Sequence, residues 1–393
     1  MKQHDAQLNF KKICIIRAIR SGMFSISIII LFFAENGVNL KEAIILQSLF
    51  SVASIFLDLP TGNFADRYGR KISIILGGIF STLGFFLYSL SYGFYGFLLS
   101  EMVLALGMCF VSGADSALLL DTQKEASDNN QGIVLEGKSR SWGMLSEGLT
   151  SLIGGSVLAI ISLRLPIYFD AVLSSLVILV AFTLVEPKKK TFIKRENAFV
   201  AIWRVLKDLN GNGKAKSMIY FSAIASAATL NMVWFIQPYW KLTGLSITMF
   251  GLCWALLQFF GAWMSHYACD IEKFFAKKKS FAIIIIMAVV GYFFLGATSF
   301  IWSSIFLIPF YISRGLNEPI IRNYISSKVQ SKDMATIFSA KSSLARIIFA
   351  IVGPIMGWAS EVTSLQTALI MSGVTFSTMG LVAWMFLVKH KAV

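Results

Sequence analysis

The chain has 393 residues, a mean hydropathy of +0.70 and only 14% charged residues, a balance that excludes an ordinary water-soluble domain. Its net charge of +14 does not point to nucleic acid, because the cations lie in short stretches between apolar runs, where a membrane protein carries its cytoplasmic charge. Cys14, Cys109, Cys253 and Cys269 stand in or beside apolar runs with no Cys-x-x-Cys spacing, which argues against a disulfide framework and a metal site. The first apolar run is long and no small-residue cleavage site follows it, so it reads as a retained span rather than a signal peptide.

A span needs about 20 apolar residues. Runs of that kind are expected at 13–34, 40–59, 72–91, 94–118, 138–161, 166–185, 216–237, 244–266, 281–299, 301–324, 335–358 and 363–388. The fold class is therefore an all-α polytopic membrane protein with 12 transmembrane helices. The longest interruption, 186–215, is Lys-rich and has an amphipathic stretch around Ala198–Leu209, which reads as a short surface helix. It divides the chain into an N-terminal half (1–185), a cytoplasmic linker (186–215) and a C-terminal half (216–393). With the N-terminus and every second loop on one side, that side holds 27 of the 35 Lys and Arg and the opposite side 3, which places both termini in the cytoplasm.

One stretch between spans is too charged for a plain turn. Gly62-Asn63-Phe64-Ala65-Asp66-Arg67-Tyr68-Gly69-Arg70-Lys71 combines two glycines, an aspartate and three cations. Its spacing, G-x-x-x-D-R-x-G-R-K, resembles the signature loop between helices 2 and 3 of the major facilitator superfamily of transporters. The resemblance implies two pseudo-symmetric six-helix halves and a substrate site near the midplane. It implies that helices 3, 6, 9 and 12 lie outermost. It also implies a conformational latch of Gly62, Asp66, Arg67, Gly69, Arg70 and Asp121, in which Asp66 meets the start of helix 11 and Arg70 pairs with Asp121. The stretch between spans 8 and 9, from Gly261 to Lys279, occupies the equivalent place in the second half with the motif decayed. Two family features are missing: Val103 and Glu101 stand near the place of the helix-4 arginine, and the helix-5 antiporter motif survives only as Gly154-Gly155.

Charges inside spans are the functional candidates, because a charge in the bilayer is costly. Arg17 is shallow and is expected to snorkel to the headgroups, while Arg20 is deep enough to line a cavity. Glu101 and Asp115, fourteen residues apart, share one face of span 4 and suggest a proton or cation path, the alternative for Asp115 being a structural ion pair near the cytoplasmic end. Glu147 lies near mid-depth in span 5, where a buried carboxyl fits a proton-coupling role. Glu318 can pair with Arg314 one turn before it, beside a kink expected at Pro319. Glu101, Asp115, Glu147 and Glu318 are the proton-coupling candidates. Lys341 is expected to snorkel. Arg20, Asn231, Trp234, Gln258, Arg314 and Arg346 are the substrate-cavity candidates, and Tyr239 and Trp240 read as an interfacial aromatic belt.

The expected function is secondary active transport of a small molecule by alternating access, as a proton-driven exporter. The alternatives are a proton-coupled importer of a nutrient or siderophore, a lipid flippase on the same fold, and a non-transporting receptor. No G-x-x-x-x-G-K-[ST] loop is present for an ATP-driven pump. No Ser/His/Asp or metal-ligand constellation is apparent and His4, His266 and His390 are scattered, so the chain is not expected to be an enzyme or to carry a cofactor or metal. Expected partners are the substrate, protons and the lipid bilayer, without nucleic acid, for a monomer in a cell membrane such as a bacterial inner membrane. Cavity acids and arginines balance, so simple lipophilic cations are expected to be poor substrates.

Overall fold

The computed structural model of the chain describes residues 3–125, 132–186, 213–326 and 334–392, with side chains except at 3–7, 113, 116, 120–125, 132–141, 326 and 334–336. The described residues are almost wholly helical. Helix α1 (Gln3–Ser21) and helix α2 (Ile29–Glu35) are separated by a non-helical stretch, 22–28. Then come α3 (Leu40–Tyr68), α4 (Arg70–Leu90), α5 (Gly93–Glu125) and α6 (Gly132–Ile153). A π-helical turn (Gly154–Leu158) joins α6 to α7 (Ala159–Ile161), which α8 (Leu165–Phe182) follows. After residue 212 come α9 (Gly213–Leu242), α10 (Ile247–His266), α11 (Ala268–Ala297) and a 3-10 segment (Ile301–Leu307). The last helices are α12 (Ile308–Ser326), α13 (Met334–Val362) and α14 (Leu365–Lys389). The surface helix expected within 198–209 lies outside the described residues.

Ten of these helices are long and apolar enough to cross a bilayer. The two other expected spans differ for physical reasons. The run 13–34 is not one helix, because it is interrupted at 22–28. Helix α12 carries Arg314, Asn317, Glu318 and Arg322, which take it out of the apolar class, and it stays helical through Pro319.

The chain forms two compact units. The first contains Met1–Val38, Ala53–Glu196 and Ile247–Gln258, and the second Asn39–Val52, Asn197–Ser246 and Phe259–Val393. In the first unit α4 packs on α5 and α8, and α1 on α6, around Ile13, Ile16, Ile74, Val111, Leu118 and Val177. In the second unit α9 packs on α12, α13 and α14, and it is the most enclosed apolar helix, with 78% of its most hydrophobic window buried. Tyr239 and Trp240 at the end of α9 are fully buried in protein, and the Tyr239 hydroxyl lies 3.0 Å from the Thr298 carbonyl, which corrects their reading as an interfacial belt. Helices α4, α8 and α14 expose apolar rows, such as Ile79, Leu83 and Phe86 on α4 and Val172, Leu176 and Leu179 on α8, the composition suited to hydrocarbon.

The charged stretch 62–71 was expected as a loop and is not one. Helix α3 runs to Tyr68 and α4 begins at Arg70, so the whole reversal falls on Gly69, at φ +112 and ψ +148. L-residues avoid that conformation, and holding one there costs about 1–3 kcal/mol. Similarly, the stretch 268–280 is helical except at Ala276, with φ 59 and ψ 163. Gly69→Ala is therefore expected to lower stability by about 1–3 kcal/mol, read as an earlier thermal transition of the purified protein; an unchanged transition would show that the reversal does not depend on glycine.

Candidate functional site

At the α3–α4 reversal the charges organise backbone. The Glu186 carboxylate, just beyond α8, accepts from the backbone N–H groups of Arg70 (2.9 Å) and Lys71 (2.7 Å). A carboxylate there meets the unpaired N–H groups and positive dipole end of α4. Asp66 lies 3.8 Å from the Arg70 guanidinium, which also donates to the Ala117 carbonyl of α5 at 2.6 Å. Arg67 is exposed against the Tyr68 ring, and Gly62 is buried within α3. The side chains of Asp121 and of the first residues of α13 lie outside the described residues, and the expected partners of Arg70 and Asp66 with them. Glu186 was not among the sequence candidates; its position at the first charge after an apolar span is the one signal that marks it.

The interrupted first span is held by two neighbouring helices. Phe24 N–H donates to Asp170 Oδ1 at 2.6 Å and Ser25 N–H to Asp170 Oδ2 at 3.1 Å. Met23 N–H donates to Thr150 Oγ1 of α6 at 2.9 Å. The chain passes so close to α6 here that a Cβ on Gly154 would collide with the Phe24 carbonyl. One turn before the break, Arg17 and Arg20 both reach Asp115, at 3.1 and 3.4 Å. This corrects two readings. Arg17 does not snorkel, its side chain being 11% exposed and ion-paired. Asp115, read as part of a proton or cation path, is held by two guanidiniums as a structural ion-pair partner.

Two further acids of the first unit bond to neutral donors. Glu101 on α5 is buried and accepts from the Tyr88 hydroxyl at 2.8 Å, among the rings of Phe32, Phe33 and Phe97. Glu147 on α6 accepts from the Gln258 amide and from the Trp254 indole (3.3 Å), both on the part of α10 that belongs to this unit. Gln258, a cavity candidate, is itself fully buried and is thus a partner of the half-buried Glu147. Arg164, before α8, also escaped the sequence reading. It donates to Asn36 Oδ1 and to the Ser89 and Ser91 carbonyls, ending α4 with a cation where a helix favours one.

In the second unit Lys341 of α13 is 3% exposed and ion-paired to Glu318 of α12. This corrects both the expected Arg314–Glu318 pair and the snorkelling of Lys341: the i, i+4 neighbour loses to a cation on the facing helix. With Glu318 so engaged it is a structural acid before it is a proton carrier. Arg314, half-buried one turn away, has no hydrogen bond or ion pair among the described residues. Asn231 is not placed to touch a substrate; it is fully buried and donates to Tyr292 Oη at 3.1 Å and Ser372 Oγ at 3.4 Å. Trp234 is half-buried, with an indole N–H that has no partner among the described residues. Arg346 on α13 is half-buried. Among the described residues no group of three or more His, Cys, Asp or Glu is placed to hold a metal ion.

A family model described as Major Facilitator Superfamily matches residues 13–354. The chain belongs to the Major Facilitator Superfamily. Among its relatives are the quinolone resistance protein NorA of Staphylococcus aureus (strain MSSA476), 25% identical over 325 residues and covering 77% of this chain and 76% of NorA. The uncharacterized MFS-type transporter YxaM of Bacillus subtilis (strain 168) is 24% identical over 377 residues, covering 91% and 90% of the two chains. Solved structures share the fold. A variant of the nucleoside transporter NupG superposes with a TM-score of 0.78 at 12% identity, covering 97% of this chain and 99% of that one. A POT family transporter in complex with 5-aminolevulinic acid gives 0.73 at 16%, covering 98% and 96%. A member of this family with ten apolar helices of spanning length is a multi-pass membrane transporter.

Breaking one side of the Lys341–Glu318 pair strands a buried charge. Glu318→Gln is expected to cost about 3 kcal/mol, and adding Lys341→Met to restore much of it. Unfolding of the purified protein in detergent measures both; losses that simply add would show that the two side chains do not act as a pair.

Proposed function

We propose that this transporter exports a small molecule by alternating access, driven by an inward proton gradient, with two six-span halves joined by the 186–215 linker and both termini cytoplasmic. The observation that carries the reading is Glu147, a half-buried carboxylate inside a spanning helix that accepts from Trp254 and Gln258 of another helix. A proton arriving there removes the charge that both donors stabilise, so occupancy by a proton and the fit of α6 to α10 are linked. NorA, a quinolone resistance protein, supports the outward direction.

Arg314 supports the kind of cargo. An arginine in a spanning helix without a counter-charge among the described residues favours a substrate that brings an anionic group, and the carboxylate of a quinolone has that chemistry. The Trp234 indole N–H is a second donor in the same unit. Asp66, Arg67, Gly69 and Arg70 form the latch of the cytoplasmic face, with Glu186 fixing the start of α4.

Two outcomes follow. In proteoliposomes with an imposed pH gradient, Glu147→Gln abolishes the dependence of transport on that gradient while substrate binding stays measurable. Unchanged proton coupling in both Glu147→Gln and Glu101→Gln would refute the assignment. Asp66→Asn cuts transport to well below half the wild-type rate at equal membrane expression; a rate above half would remove the latch role.

A further inference from the structure

We propose that Asp170 is a proton-binding site, separate from Glu147, whose occupancy sets whether the first span is interrupted or helical. The carboxylate is 1% exposed, five residues into α8 and so roughly 8 Å along that helix. The other in-span or flanking acids with a cation sit against it: Asp115 on two arginines, Glu318 on Lys341, Asp66 on Arg70. Asp170 has no ion pair among the described residues, and it accepts from the backbone N–H groups of Phe24 and Ser25.

The groups brought by the packed elements leave that picture intact. Helix α1 brings Lys11, Lys12, which donates to the Thr183 carbonyl beyond the far end of α8, Arg17 and Arg20, both on Asp115, and Cys14. Helix α4 brings Arg70 and Lys71 in its first turn and Tyr88, bonded to Glu101. The π-helical turn and α7 bring none, and α8 itself adds only Tyr168, about 200° around the helix from Asp170. A carboxylate held by neutral donors alone loses no ion pair when it takes up a proton.

The break supplies the second state. Because the N–H groups of Met23, Phe24 and Ser25 are turned to Thr150 and Asp170, the carbonyls of Ile19, Arg20 and Ser21 lack their helical i+4 donors. A proton from water that forms an O–H bond on the Asp170 carboxyl weakens it as an acceptor of two N–H groups and makes it a donor. The O–H is then offered to a carbonyl of that turn, and the N–H groups of Phe24 and Ser25 return to Arg20 and Ser21, extending α1. The Phe24–Phe169 ring contact, 5.6 Å between centroids, keeps the stretch beside α8 in either state. Arg20 sits at the last turn of α1, so the change reaches the Arg17–Asp115–Arg20 cluster directly.

The test is amide exchange of the full-length protein in lipid nanodiscs, followed across pH and corrected for intrinsic rates, with the protonated-carboxyl infrared band read on the same samples. The expected result is roughly tenfold stronger protection of 22–28 at acid pH than at alkaline pH in the wild type. Asp170→Asn loses that response and part of the infrared band, Asp170→Glu keeps the response with a shifted midpoint, and Glu147→Gln keeps it unshifted. A wild-type segment whose corrected exchange is the same at all pH values overturns the proposal, whatever the variants do. So does an Asp170→Asn protein with the full response or band. Loss of the response in Glu147→Gln would assign the proton to Glu147 and also overturn it.

Discussion

A charge or a backbone N–H withdrawn from water into a helical bundle has to find its counter-group inside the protein, and the arrangement of this chain follows from how each one does so. Arg17 and Arg20 converge on Asp115, Lys341 on Glu318, and the freed N–H groups at the interruption of the first span on Asp170 and Thr150. Lipid supplies none of these partners, so each pairing fixes which helices must be neighbours. The same constraint holds at the ends of the helices. Glu186 satisfies the start of α4 and Arg164 its end, so one helix is tied at both termini by side chains from the segments flanking α8.

Much of this was legible in the sequence, and what was not has a common cause. The apolar runs, the signature stretch and the acids at Glu101 and Glu147 stand out because composition and spacing report length, face and cost directly. Partners do not, because periodicity sees only neighbours on the same helix. It pairs Glu318 with Arg314, whereas the nearest cation in space is Lys341, 23 residues away on α13. It places Asn231 in a cavity and Tyr239 at the outer interface because it cannot see their partners, which are Tyr292, Ser372 and Thr298 on other segments. The interruption at 22–28 hides inside a run with enough isoleucine and phenylalanine to read as one span. Its two serines and one glycine carry the signal, and the lone acid of an otherwise uncharged span 6 marks where its partner is.

The division between paired and differently bonded acids gives the proposed mechanism its shape. Acids clamped by cations hold helices together. In the proposed mechanism Glu147, bonded to an indole and an amide, and Asp170, bonded to backbone donors, are where a proton would change a contact between helices. Both lie in the first compact unit, while the half-buried Arg314 lies in the second. On this reading proton handling and recognition of an anionic group are served by different units of the chain.

The central claim is that export by this chain consumes an inward proton gradient. Its most direct measurement uses everted membrane vesicles, energised until their lumen is acid and reported by a pH-sensitive fluorophore, from cells that produce the chain and from cells that do not. The account predicts that adding a quinolone releases lumenal protons and restores fluorescence in the first vesicles and not in the second. Quinolone resistance conferred by the chain in cells, with no proton movement in these vesicles, would contradict it.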